Sequence, residues 1–218
     1  MFLNLKILIA ICCIDERVYE LHNCIKSLQG PIKKDIIGIF RNKDTECQKL
    51  IDFISVDDYE LSTTTRHNLS GITNKRNAAL NYARKNNYDR LIFIDSDIKI
   101  NWLTIPCLLL GSIFAEISCV VYPTRWANML PVIGFENPLR METINYGIIP
   151  FKTCYMIPMG CTCINIKSPK IPETFTIAEI PGPDGLNVFG EDVGFCLTAK
   201  NNNARIVVSK WNIARHMF

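Results

Sequence analysis

At 218 residues the chain is near the upper end for one domain and long enough to bury a sizeable core. Charged residues make up 21% and apolar residues 48%, an ordinary globular balance. The net charge of +3, from 24 basic against 21 acidic residues, is too small to argue for a nucleic-acid partner, and no basic stripe of the kind that tracks phosphates runs through the sequence.

Residues Lys6 to Ile14 are apolar and β-rich and predict a first strand. Residues Glu16 to Leu28 predict a helix closed by Gly30-Pro31, with His22 on it, and Asp35 to Phe40 a second strand. A charged turn then leads to a short helix over Glu46 to Phe53, and Asp57 to Ser70, polar and Ser/Thr-rich, reads as a loop that includes His67. Ser70 or Thr73 caps a helix through NKRNAALNYARKN, whose Ala78, Ala79, Tyr82 and Ala83 fall at helical spacing. The strand RLIFID follows. A helix over Leu103 to Phe114, a strand over Ser118 to Tyr122 and another over Met156 to Ile166 continue the alternation. PETFTIAEIPGPDGLNVFG reads as loop, its Pro- and Gly-rich part from Ala178 to Gly190 as a mobile lid or, equally, an ordinary surface connection. GEDVGFCLTAKNN predicts a helix and ARIVVS a last strand. Such alternation argues for an α/β fold with a mainly parallel sheet covered by helices on both faces. No repeat or linker divides residues 1–218, which read as one domain.

Two features invite other readings. The ten cysteines lie mostly in apolar runs, and Cys12-Cys13 and Cys161-Thr162-Cys163 lack the spacing of a zinc ribbon or a CxxC site. They read as buried free thiols of a reducing compartment. The apolar N-terminus lacks a basic leader and a cleavage site, and LTIPCLLLGSIFAEISCVV is interrupted by Pro106 and Glu116. The expectation is therefore a soluble, cytoplasmic protein with no membrane span. The abundance of Ile, Lys and Asn suggests an AT-rich genome, such as that of a large DNA virus.

The chemistry starts at the end of RLIFID. Parallel α/β sheets hold ligands at the carboxyl ends of their strands, where Asp95 and Asp97 lie. Taken as extended, the segment points both carboxylates the same way. They repel unless a positive charge joins them, and Mg²⁺ or Mn²⁺ prefers such oxygen ligands. A pair of surface carboxylates ending a strand is the plainer alternative.

The stretches GITNKRNAALNYARKNNYDRLIFIDSDI, Gly71 to Ile98, and FGEDVGFCLTAKNNNARIVVSKWNIARH, Phe189 to His216, resemble nucleotide-sugar glycosyltransferases of the GT-A type. That resemblance implies a single GT-A domain with a mostly parallel mixed sheet, residues 1–100 forming the nucleotide-binding half and 101–218 the acceptor-side half. It implies transfer of a sugar from a nucleoside-diphosphate sugar (a UDP-sugar favoured, a GDP-sugar next) to a glycan, glycoprotein or other hydroxyl acceptor, with Mn²⁺ or Mg²⁺ as cofactor. Asp97 would bind the metal directly, Asp95 would face the ribose or a metal-bound water, and His216 would complete the metal shell. Cys13, Ile14 and Arg41, at the ends of the first two strands, would hold the base, although the sequence lacks the common P-x-Y-N wording there. Arg76, placed in the first turn of its predicted helix, would steady Asp95 or the diphosphate, and Ser96 would touch the nucleotide sugar. Asp192, with Glu191 beside it, would be the general base of an inverting enzyme. Both also serve as ordinary charges at a helix start. GEDVGFC further resembles the retaining fungal α-mannosyltransferases, so the stereochemistry stays open.

Two alternatives compete. A nucleotidylyltransferase shares the α/β nucleotide fold but carries a Gly-rich basic loop where this chain has CCIDERVYE. A catalytically silent nucleotide-sugar-binding module is opposed by the intact Asp95, Asp97, Asp192 and His216.

Overall fold

A computed structural model of the chain describes residues 4–58, 65–122, 132–134, 141–143, 151–182, 185–212 and 214–217. In chain order the elements are β1 (Ile7–Cys12), a 3₁₀ turn (Asp15–Arg17), α1 (Val18–Ser27), β2 (Asp35–Arg41), α2 (Thr45–Gln48), β3 (Phe53–Val56), α3 (Thr65–Lys85), β4 (Arg90–Ile94) and β5 (Ile98–Ile100). There follow α4 (Thr104–Phe114), β6 (Ile117–Val121), β7 (Val132–Gly134), β8 (Met141–Thr143), β9 (Phe151–Thr153), β10 (Cys161–Asn165), β11 (Ala178–Gly182), β12 (Gly185–Phe189), α5 (Glu191–Asn201), β13 (Ile206–Asn212) and β14 (Ala214–His216).

Eight strands form one mixed sheet in the order β3-β2-β1-β4-β10-β6-β13-β9. β3, β2, β1 and β4 are mutually parallel, β10 runs against both its neighbours, β6 and β13 are parallel, and β9 runs against β13. The α/β architecture expected from the sequence is thus present, with helices flanking the sheet. Every residue of β1, ILIAIC, is buried, as befits a parallel strand covered on two faces. α3 packs across β1 to β4, and α4 against β6, β10 and β13.

A second packing unit ties α5 to the sheet. Phe175 stacks on Phe195 at 3.9 Å and meets Phe93 edge-on at 5.6 Å. Gly194 lets α5 approach so closely that a β-carbon there would lie 1.9 Å from the Thr176 carbonyl oxygen. All ten cysteines are free and buried, as their apolar settings predict. Among the described residues no helix is long and apolar enough to cross a membrane.

Several local expectations are corrected. The short helix predicted to Phe53 ends at Gln48, and Phe53–Val56 instead pairs with β2, its β-branched Ile54 and Val56 half-buried and Phe53 and Ser55 exposed, as on an edge strand. The loop expected to Ser70 gives way at Thr65 to α3, so His67 lies on a helix. Thr73 is no cap: its hydroxyl donates to the Leu69 carbonyl at 2.6 Å within the helix. The Ala178–Gly190 segment is not a loop but the antiparallel hairpin of β11 and β12, its tip, 183–184, lying outside the described residues. The strand expected over Met156 to Ile166 is confined to Cys161–Asn165. Beyond the last predicted strand the chain adds β14, which pairs with β5.

Candidate active site

The carboxyl ends of β1 and β4 open into a cleft of about 240 Å³ whose lining includes Cys13, Ile14, Arg17, Lys75, Arg76 and the whole of Asp95-Ser96-Asp97. The two aspartates reach it by a turn, not by the extended segment assumed from sequence. The Ile98 amide donates to the Asp95 carbonyl at 2.9 Å, which reverses the chain into β5. Asp95 is seated from behind. Its amide donates to the Gly160 carbonyl at 2.8 Å, and a β-carbon on Gly160 would stand 2.5 Å from Asp95 Oδ2 and 2.6 Å from the Tyr122 hydroxyl. Only glycine leaves room for that carboxylate.

Asp97 is bracketed. Arg17 Nη1 donates to its Oδ2 at 2.8 Å, and His216 Nε2 lies 3.9 Å from its Oδ1. β14 delivers the histidine: His216 pairs with Ile98, the Met217 amide donates to the Asp97 carbonyl at 2.7 Å, and the Tyr122 ring meets the imidazole edge-on at 5.3 Å. The structure therefore places His216 beside Asp97, 119 residues away in sequence, with Asp95 in the same cleft. Two carboxylates and an imidazole are a donor set suited to Mn²⁺ or Mg²⁺, and a 3.9 Å gap can be spanned by two bonds of about 2.1 Å to one ion. Among the described residues no three His, Cys, Asp or Glu side chains converge on one point, and the cation that meets Asp97 is the Arg17 guanidinium.

Arg76 is corrected from the first turn to the middle of α3, where it is 4% exposed, so it cannot act through the helix terminus. It links the two acidic motifs instead. Its Nη2 donates to Asp95 Oδ1 at 3.4 Å, its Nε lies 2.8 Å from Glu191 Oε1, and its guanidinium covers the Phe93 ring at 5.2 Å. Glu191 is buried against it, and Asp192, the next residue, accepts the Val193 amide at 2.8 Å. Burial pushes the pKa values of both carboxyls up, Arg76 opposing it in each. Burial likewise raises Asp95, with Arg76 opposing and Asp97 adding to the rise. Neither Glu191 nor Asp192 lines the cleft, which stops at Arg76.

Cys13 and Ile14 line the cleft as expected, and the Cys13 thiol is held below its ordinary pKa by a hydrogen bond from Cys47, burial opposing it, with Ser96 assisting. Arg41 is elsewhere. It is 2% exposed, its Nη2 lies 2.6 Å from Asp44 Oδ1 and 2.8 Å from Glu16 Oε2, and it is absent from the cleft wall. Asp44, 0% exposed, anchors this second cluster. Burial pushes its carboxyl up, but hydrogen bonds from Arg41 and the Asp15 amide, with the charge of Lys75, together hold it below its usual range. Asp15 accepts the Cys47 amide at 2.8 Å and so closes the start of α2.

Arg17, Lys75, Tyr122 and Gly160 escaped the reading of the sequence. Lys75, 1% exposed, donates to the Cys13 carbonyl and lies 3.8 Å from Asp44 Oδ2. A signal for it existed. Lys75, Ala79 and Ala83 recur every four residues, so the lysine extends the buried stripe of α3, where a charge needs a reason.

No family model matches the sequence, and no curated protein matches it. Solved structures share its fold. S. aureus TarS 1-349 superposes with a TM-score of 0.56 at 16% identity over 98% of this chain, which spans 60% of that one. A197 from STIV superposes with a TM-score of 0.51 at 13% identity over 98% of this chain and 86% of that one. At such identities the likeness is one of fold: a mixed eight-stranded sheet flanked by helices.

Proposed function

We propose that the chain transfers a sugar from a nucleoside-diphosphate sugar, a UDP-sugar in the first instance, to a hydroxyl of a glycan, glycoprotein or other acceptor. One observation carries the reading. In a fold similar to a glycosyltransferase domain, the ends of β1 and β4 gather Arg17, Lys75 and Arg76 around Asp95 and Asp97 in one cleft. Cations are what a diphosphate needs, and a leaving diphosphate needs them most as its charge grows. Arg17, half-buried and at the cleft wall, is the basic group best exposed to receive it.

Asp97 and His216 would hold Mn²⁺ or Mg²⁺, with Asp95 binding directly or through water, and the ion when bound supplies further compensation of the diphosphate charge. Cys13, Ile14 and Ser96 would line the nucleoside side of the donor. Asp192 is the candidate base. Burial moves its pKa toward neutrality, the range in which a carboxylate accepts a proton most usefully. Glu191, held by Arg76, would position the start of α5. The role of base belongs to an inverting enzyme; in a retaining one Asp192 would orient acceptor or sugar.

The test is calorimetry of UDP and GDP with and without Mn²⁺. Asp97→Ala is expected to lose the metal-dependent part of the affinity, at least about tenfold, with an unchanged melting temperature in the absence of ligand. Undiminished metal-dependent binding in that variant would remove Asp97 from the site. A second reading, nucleotide-sugar binding without turnover, draws on the closure of Asp97 by Arg17. Release of UDP from UDP-sugars separates the two.

A further inference from the structure

We propose that a second groove, running along α1 on the other side of His216, binds an extended acceptor that carries repeated anionic groups. The inference rests on the reading of the cleft as the donor site and names the chemistry of the second substrate.

The groove encloses about 560 Å³. One wall is the polar stripe of α1, where Tyr19, Asn23 and Lys26 recur at helical spacing while Leu21, Cys24 and Leu28 face the core. The other wall is the β5–β14 ribbon, which contributes Lys99 and Arg215. These two are directly paired in the antiparallel register. Like charges placed opposite one another destabilise a ribbon. Lys26 adds a third cation from the facing helix. None of the three forms an ion pair among the described residues, all are exposed, and no carboxylate lines the groove. Three converging positive charges with no counter-charge, two of them held against their own repulsion, are the complement of an anionic ligand.

The groove also meets the cleft. His216 lines the groove and lies 3.9 Å from Asp97 in the cleft. At the start of α1, Arg17 faces the cleft and Tyr19, 75% exposed, faces the groove. α1 has ten residues, so the wall is about 15 Å long, enough for more than one charged unit. An acceptor lying along it would present its end beside the donor, with the Tyr19 ring available to a sugar face. Phosphate and carboxylate groups would both satisfy the cations.

The test compares three ligands by calorimetry: an oligogalacturonate, its neutral methyl ester and a short linear polyphosphate. Each is titrated into the wild-type chain and into the double variant Lys26→Glu/Lys99→Glu. At least one anionic chain is expected to bind the wild type, with affinity falling as salt rises, and to bind the double variant at least about tenfold more weakly. The ester is expected to bind neither. Preference for polyphosphate or for oligogalacturonate identifies the anionic group. UDP–Mn²⁺ binding should be the same in both proteins, because neither lysine lines the cleft. Failure of both anionic chains to bind, equal binding by the ester, or undiminished binding in the double variant overturns the proposal. Absence of UDP–Mn²⁺ binding to the wild type would instead overturn the donor reading of the cleft, whatever the groove does.

Discussion

The Asp95–Asp97 turn and the start of α5 each carry two carboxylates, and both reach the same guanidinium, yet they are built to opposite ends. At the turn the shared Arg76 meets Asp95 while Asp97 has a second cation, Arg17, to itself, and both side chains line an open cleft. At α5 the residues are consecutive, share Arg76, and lie away from the cleft wall, so that burial raises the pKa of each and Asp192 raises Glu191 further. Burial raises Asp95 as it does the two α5 carboxyls, so a raised pKa does not by itself separate the two places. What differs is the second cation, Arg17, and the cleft in front of the turn.

The comparison is broken most directly at the shared residue. Arg76→Met leaves Asp95 and Glu191 without their common partner, and loss of one member of a buried ion pair costs about 3–5 kcal/mol. Urea denaturation should show a loss of that order, and Glu191→Gln added to Arg76→Met should recover part of it. A loss below about 1 kcal/mol would mean that Arg76 does not join the two motifs energetically. Gly160→Ala acts on the turn alone. The added methyl group must push Asp95 aside, and nucleotide–Mn²⁺ affinity measured by calorimetry should fall about tenfold, equivalent to about 1.4 kcal/mol, while the α5 carboxylates are untouched.

pH sharpens the contrast at α5. The folded-state pKa of Asp192 lies above its ordinary 3.8, so its contribution to stability is complete below that value and is lost as pH rises through the folded value. Asp192→Asn has no such proton to lose. Its stability relative to wild type should therefore rise as pH increases above about 4 in denaturation series, and a difference that stays flat would show that the carboxyl is not perturbed. The smallest effect belongs to Arg17→Gln. The pair with Asp97 is partly exposed, so stability should change by less than about 1 kcal/mol. Mn²⁺ binding without nucleotide, followed by electron paramagnetic resonance, should tighten as the competing cation leaves. Weaker binding would show that Arg17 supports the metal position instead of rivalling it.

Much of this site is legible in the sequence because strand ends mark themselves. RLIFI runs directly into a carboxylate, and GEDVGF places two at a helix start. The resemblance set His216, after the last long strand, close to Asp97, and the pairing of β14 with β5 brings it there. The residues that escaped notice act across long separations. Arg17 meets a residue 80 positions away, and Gly160 matters only because β10 lies against β4. The sequence sets both Arg41 and Arg76 beside a nucleotide, yet only Arg76 reaches the cleft. Each follows or joins an element that a nucleotide would approach, but Asp44 is close enough in sequence to draw Arg41 into a buried cluster, while Arg76 is turned toward the cleft by the depth of α3. The helix start at Thr65 was hidden by a Ser/Thr cluster that resembles turn chemistry until the Thr73 hydroxyl is seen to bond inside the helix.

The ten buried thiols shape how this protein behaves on the bench. Inside the fold, burial holds Cys12, Cys119, Cys163 and Cys196 at pKa values of about 12, so almost none of their sulfur is thiolate at neutral pH. Unfolding returns each to the ordinary value of about 8.5 and exposes all ten to air and to one another. Random cross-linking then competes with refolding, and heating becomes a one-way process whose midpoint depends on scan rate. A reductant in the buffer makes the same transition retraceable, and purification of the chain should be arranged accordingly.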